Sequence, residues 1–538
     1  MEGAHLLPRR VLAIGLDGFE LSVAERLASR GEMPAISALQ ARGARILLDH
    51  GLAKHTGLGW EHVSTGLSPA SAQRWSAVEF DPSTYTTWQQ GTTIPPFTSH
   101  IQSRVVVFDP PYFHLRADPR VRGIVNWGAH DPGTDLKAQP QNLVQEAVAK
   151  FGPYPAEAAL YGLPWPSAET CTRLADELVK ATDQRSRIAR WLFTERLPDW
   201  DLAMVVMSEP HSATEALWHG VDTAHPLHDQ ASAAAAAAGM AAVYRAADRL
   251  VGEMVEAFPD TTVVAFSMHG MGPNTSDVTS MVLLPELLYR QAFGKPLLDV
   301  PAGTTPIPPL TEGWNNAVNR QYPSLLPFEV SRFLMRARGR IRRQLRSANG
   351  GPQILPLDWM PAIRYQRFWP RMAAFALPSY YDGKIRINLE GRERQGVVPL
   401  AEYERTCAAI EAVLRQCRDT RTGEPVIETI ERPGRDPMTL DRTEADIDVF
   451  WRGTVNAIEH PELGRIGPVP FRRPGGHTGE TGVAYIAGEG IPNRRYGSRS
   501  SFDVVPTLID LLGEPPSSRL TGQSFLPLLR QEPAIPAG

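Results

Sequence analysis

The chain has 538 residues, 42% of them hydrophobic and 21% charged, with a formal net charge of −4. That is the make-up of a globular protein large enough for two or three domains. It excludes an overall basic field of the kind that binds nucleic acid or an anionic membrane.

The N-terminal stretch MEGAHLLPRRVLAIGLDG runs straight into a strand-like segment and lacks the apolar core and small-residue cleavage site of a secretory signal. No apolar run reaches the ~18–20 residues that span a bilayer. A cytoplasmic protein is the plain expectation. Residues 10–17, RVLAIGLD, are a short apolar run ending in a carboxylate and a glycine, as a buried parallel strand enters a loop. Asp17 at that strand end suits a divalent metal, or else caps the following helix. The helical pattern over 20–43 is broken at Gly31, Met33 and Pro34.

In AKHTGLGWEHVSTG (53–66), Thr56 precedes a Gly-x-Gly turn and an apolar helix. Its hydroxyl is either a nucleophile or a simple cap. RVVVFD (104–109) ends in Asp109 before two prolines, and NWGAHDPG (126–133) adds His130 and Asp131 as groups that could contact a substrate. A helix is expected over 167–194. DLAMVVMSEP (201–210) repeats the strand-then-polar grammar, and SEPHSATEALWHG carries His211, Glu215 and His219 four residues apart. On a helix these share a face, which can clasp a metal or simply be solvated.

An Ala-rich helix (228–256) leads to TTVVAFSMHG (261–270), where Met268 stands at the strand end just before His269. From about 280 to 440 the grammar changes. Prolines crowd 300–327, a basic segment follows at 332–346, GKIRINLEGRE (383–393) reads as strand and turn, and 400–417 as helix. This region is expected to be an inserted cap between core segments 8–275 and 441–535. Its Arg392 is expected to form a structural ion pair with a nearby carboxylate such as Glu393. The α/β pattern is expected to resume at 445–451, 481–491 and the helix of 500–513. The cysteines Cys171, Cys407 and Cys417 have no zinc-ligand spacing and argue against a disulfide framework. RRPGGHTGETG (472–482) sets His477 among glycines.

Strands alternating with helices, each strand ending in polar residues, predict an α/β fold with a central, largely parallel sheet flanked by helices. Five segments then supply Asp, Thr, His/Glu, His and His at strand ends or in glycine loops, a set suited to zinc or a similar metal with a hydroxyl nucleophile.

In this order the motifs IGLDG, HTGLGWEHVSTG, SEPHSATEALWH, SMHGMGP and GGHTGETG resemble those of the alkaline phosphatase superfamily, specifically the type I phosphodiesterase/nucleotide pyrophosphatase group. The closing DVVPTLIDLLGEPPSSRLTGQSFLPLL (503–529) is similar to that group's terminal elements. The resemblance implies an alkaline-phosphatase-like core and one or two divalent ions per chain, zinc or alternatively manganese. One ion would be held by Asp17, Thr56 and His269, and the other by His211, Glu215 and His477. Thr56 would attack phosphorus in a small phosphorylated substrate: a phosphodiester, a pyrophosphate or a phosphomonoester.

Two departures stand out. The Asp/His pair of the second site is reversed to His211 and Glu215, and an expected Asp of the first site is Met268, a poor ligand for such metals. Asn274, Asp277, Glu209 and His55 are candidates to compensate, and Asn274 and His130 are candidate substrate contacts. A degenerate member that binds a phosphorylated ligand without turnover is the alternative. Sulfate-ester hydrolysis is disfavoured, because HTGLG lacks the Cys/Ser-x-Pro-x-Arg pattern.

Overall fold

The computed structural model describes residues 10–115, 118–128, 136–156, 167–310, 312–323 and 354–530. His130, Asp131 and the basic segment 332–346 lie outside the described residues.

The core is a nine-stranded sheet. Five neighbouring strands run parallel: Thr262–Ser267, Val11–Leu16, Leu202–Met207, Val105–Phe108 and Val121–Val125. Every residue of Val11–Leu16 is buried, because both faces are covered. Val11 and Ala13 pack into one apolar cluster, and Leu12, Ile14 and Leu16 into the opposite one. That two-sided burial is why the parallel strands read as continuous apolar runs rather than alternating ones.

On one face lie the helices Pro34–Arg42, Ala168–Trp191 and Ala233–Ala257. The second of these starts where Ser167 accepts a hydrogen bond from the Thr170 amide at 3.1 Å, an N-cap that satisfies an otherwise orphaned donor. The other face is covered by Gly59–Thr65, Val504–Leu511 and Leu526–Arg530.

Two further strands extend the sheet beside Thr262–Ser267. Thr481–Ala487 pairs antiparallel with it, and Ala44–Asp49 pairs antiparallel with Thr481–Ala487 in turn. Ala44–Asp49 therefore runs in the same direction as the parallel strands. Its carboxyl end, and the incoming end of Thr481–Ala487, open at the same edge as Asp17, Ser208 and Met268.

A second sheet is antiparallel, in the order Ala374–Leu377, Gly383–Ile387, Ile447–Trp451, Ile427–Glu431. The strand expected to resume the α/β pattern at 445–451 instead pairs here. Ile447 and Val449 face the same apolar cluster as Ile385 and Ile387, so the antiparallel unit continues past residue 440. Arg392 holds Glu393 at 2.9 Å and Asp446 at 2.7 Å, the structural ion pair expected of it. Among the described residues no helix is long and apolar enough to cross a membrane.

Candidate functional site

The site forms where the polar strand ends meet. Asp17 leaves the first strand and is followed by Gly18, whose φ is +61°. A Cβ on Gly18 would stand 2.5 Å from the His211 Cα, so only glycine lets the two segments come this close. The helix Glu209–Leu217 then presents His211 and Glu215 on one face, as their four-residue spacing requires. His219 falls in the next, tighter turn and is bound to the Ser232 hydroxyl at 3.1 Å, away from this group.

Three donors converge. The His211 Nε2 lies 3.3 Å from Glu215 Oε1 and 3.0 Å from His477 Nε2. All three donor atoms lie within 4.8 Å of one another, the one such group among the described residues. Two imidazole Nε2 atoms facing at this distance require that one donate to the other, or that both lone pairs share a cation. Ligand bonds of about 2.0–2.1 Å in a tetrahedron give ligand–ligand edges of roughly 3.3 Å, so this donor set fits a zinc-sized ion.

Each member of the trio has an outer neighbour. The His211 Nδ1–H donates to Asp17 Oδ2 at 3.2 Å. Glu215 is held by the Arg473 guanidinium, which also grips both carboxylate oxygens of Asp277 at 2.9 and 3.1 Å. His477 packs against the ring of Tyr381, centroid to centroid 4.3 Å.

The other expected set is built differently. The His269 Nδ1–H donates to the Gly270 carbonyl at 2.8 Å, leaving Nε2 as the ring's lone-pair nitrogen. Burial lowers the His269 pKa, favouring the neutral ring. A Cβ on Gly59 would lie 3.7 Å from His269 Nε2 and 3.4 Å from Met268 Cε, so both side chains reach the start of the helix Gly59–Thr65. Met268 is buried in the apolar cluster that holds Trp60 and Phe266. At this position the expected carboxylate is replaced by the Met268 thioether, which does not suit a hard or borderline metal.

Thr56 closes the turn Gly51–Thr56 that follows the strand Ala44–Asp49. Its hydroxyl donates to the Ala53 carbonyl at 2.7 Å and accepts from the Leu58 amide at 3.1 Å, bracing its own turn, while the helix Gly59–Thr65 starts at Leu58 without a side-chain cap. The next residue, Gly57, lies under Tyr381, whose ring a Cβ there would meet at 2.8 Å. One aromatic ring thus spans the Thr56 turn and His477.

The compensating candidates are engaged elsewhere. Glu209 is buried against Arg185, with contacts of 3.0–3.1 Å, and the same guanidinium binds Asp109 at 2.7 Å. Asp277 belongs to Arg472 and Arg473. Asn274 accepts from the Ser276 and Asp277 amides at 3.2 and 3.0 Å and donates to the Gly475 carbonyl at 3.2 Å, which makes it a brace for the His477 loop. His55 packs on Phe450, 4.7 Å between centroids, and burial pushes its pKa down to about 4. Glu20 ties two of the loops together, accepting from the Ser22 amide at 3.1 Å and the Met271 amide at 2.9 Å.

Sequence reasoning missed Tyr381 and Arg473. Arg473 lies four residues before His477, and an arginine beside a ligand loop was a usable signal. Tyr381 comes from the antiparallel unit, and nothing in its local sequence points at the site.

The family model for type I phosphodiesterase/nucleotide pyrophosphatase matches residues 11–330. No curated protein sequence matches the chain. Among solved structures, phosphonoacetate hydrolase from Sinorhizobium meliloti, in complex with phosphonoformate, is similar over 94% of this chain and 95% of its own, at 14% identity and TM-score 0.47. Human ectonucleotide pyrophosphatase/phosphodiesterase 5 is similar over 97% of this chain and all of its own, at 12% identity and TM-score 0.46. Its murine counterpart, in complex with AMP, covers 97% and 99% at 11% identity and TM-score 0.45. The family match spans more than half of the chain, and the protein belongs to the type I phosphodiesterase/nucleotide pyrophosphatase family.

Proposed function

We propose that the protein is a metal-assisted phosphoesterase with Thr56 as nucleophile, acting on a phosphodiester, a pyrophosphate or a small phosphomonoester. The observation that carries this reading is the convergence of His211, Glu215 and His477 within 4.8 Å, at the sheet edge where the Thr56 turn also ends. Family membership supplies the reaction class.

A divalent ion on His211, Glu215 and His477, zinc or manganese, would supply positive charge where phosphoryl oxygens gather negative charge. The chain's own groups do the rest. The Thr56 hydroxyl turns from the Ala53 carbonyl and gives up its proton, and its oxygen attacks phosphorus. The His269 Nε2, the neutral ring's lone-pair nitrogen, would take that proton. The new Thr56 O–P bond forms as the ester P–O bond breaks, and the leaving oxygen departs with the bonding pair. Water then cleaves the phospho-threonine and restores the hydroxyl. Tyr381 roofs the space between Gly57 and His477, and the phosphorylated group of the substrate would sit beneath it.

Met268 favours a second reading, a binding protein without turnover. The two separate in one assay. Purified protein, supplied with Zn²⁺ or Mn²⁺, is offered aryl phosphate monoesters, diesters, nucleotide pyrophosphates and aryl sulfates, with Thr56→Ala alongside. Turnover of a phosphate ester that vanishes in Thr56→Ala is the expected result. Turnover unaffected by that change, or no turnover on any ester, overturns the proposal.

A further inference from the structure

The loss of the carboxylate at Met268 changes what Asp17 does. In the arrangement that the family resemblance implies, Asp17 binds an ion of its own, together with Thr56, His269 and a further carboxylate. Here that carboxylate is a thioether 4% exposed and packed among apolar side chains. The position keeps two protein ligands of the usual types, Asp17 and His269. The third expected ligand, the Thr56 hydroxyl, is hydrogen-bonded to the Ala53 carbonyl and the Leu58 amide. Two ligands and one missing negative charge do not make a second site for a divalent ion.

The Asp17 carboxylate instead meets His211, accepting from Nδ1 at 3.2 Å. This is the geometry by which a carboxylate fixes a ligating histidine: it selects the tautomer, orients the ring, and leaves the Nε2 lone pair directed away. That lone pair is the one facing Glu215 and His477. The second ligand is positioned in the same manner, since Arg473, anchored on Asp277, holds Glu215. Carboxylate oxygens carry about four lone-pair directions, so a guanidinium contact leaves room for an ion on Glu215.

We infer that this chain holds a single divalent ion, on His211, Glu215 and His477, and that Asp17 orients His211 rather than binding a second ion. The inference rests on reading the site as a metal-assisted centre, but its test needs no substrate and no turnover.

The ion content of the full chain is measured by elemental analysis after equilibration with Zn²⁺ or Mn²⁺, and Co²⁺ is titrated while its visible absorption is followed. One ion per chain, with the Co²⁺ spectrum saturating at one equivalent, is expected. His477→Ala should abolish binding. Asp17→Asn, which keeps an acceptor but loses the charge, should still bind one ion, about 10–100-fold more weakly and with a shifted Co²⁺ spectrum, and Asp17→Ala more weakly again. Thermal melting of each variant separates a folding defect from a binding one, and the count on the unmodified chain stands if a variant fails to fold. Two ions per chain, none, or unchanged affinity and spectrum in folded Asp17→Asn would each overturn the inference. If the Thr56 mechanism alone is wrong, the ion count and the Asp17 series are as stated while turnover ignores Thr56→Ala.

Discussion

At the scale of single residues, the carboxylates at the sheet edge fall into two kinds that sequence alone does not separate. Glu209 and Glu215 lie on the same helix, and both looked available to a metal. Arg185 takes Glu209 and Asp109 together with all three side chains fully buried, whereas Glu215 stays beside two imidazoles. Which carboxylate an arginine 24 residues away will claim is a fact of packing and leaves no local trace. Arg185→Met strands two buried carboxylates, and we expect it to cost about 3–5 kcal/mol, read as a lower denaturation midpoint in urea. Tyr381→Ala removes the ring that touches both Gly57 and His477. The expected outcome is a fall of roughly tenfold or more in kcat/KM for the ester that the protein prefers, with little change in melting temperature, because the ring is partly exposed. The His211/Glu215/His477 trio, by contrast, was legible. Its residue types are scarce, and their positions at a strand end, on a helix face and in a glycine loop carry their own geometric meaning.

Elements divide by how their burial shows in sequence. Four of the five parallel strands were legible because two covered faces demand unbroken apolar runs, whereas Val121–Val125, interrupted by Arg122 and Gly123, was not. The edge strand Arg494–Ser500, RRYGSRS, was not, since six of its seven residues are exposed and no apolar pattern marks it. Ile447–Trp451 was read as a strand but given to the wrong sheet, because a five-residue apolar segment does not state its partner. The loop elements at the site depend on close backbone approach, and Gly18 offers the sharpest test. Gly18→Ala places a methyl 2.5 Å from the His211 backbone at a left-handed φ. We expect it to destabilise the fold by more than about 1 kcal/mol and to weaken ion binding together with it, both read on the purified variant.

Across the whole molecule, burial of histidines sets a pH dependence. His62 is pushed down to about 3, and His219 and His225 each to about 4, in every case chiefly by desolvation of the charged ring. Their folded values lie below the ordinary 6.5, so between 6.5 and those values the unfolded chain binds more protons. Stability from these groups is therefore complete above 6.5 and is lost as pH falls, on the order of 3 kcal/mol for each ring. Glu61, which burial raises to about 7, opposes this between 4.5 and 7, as do Asp109 and Asp277, raised by burial, while His50 and His55, lowered by burial, act with the three rings. Melting temperatures should thus fall steadily from pH 6.5 to pH 4. A flat profile there would show that these rings are not buried as described.

The strand Ala44–Asp49 has both of its sheet neighbours in Thr481–Ala487 and Arg494–Ser500. The same junction joins Gln40 to Tyr485, 445 residues further along the chain. On a ribosome adding about 5–20 residues per second, that strand waits roughly 20–90 s with both edges unpaired. Over the same interval the Thr56 turn has been made and His477 has not. The His211, Glu215 and His477 group is complete only after that interval, and until then the nascent chain carries an open apolar strand edge. Such an edge is a ready template for pairing with another chain for as long as it stays open.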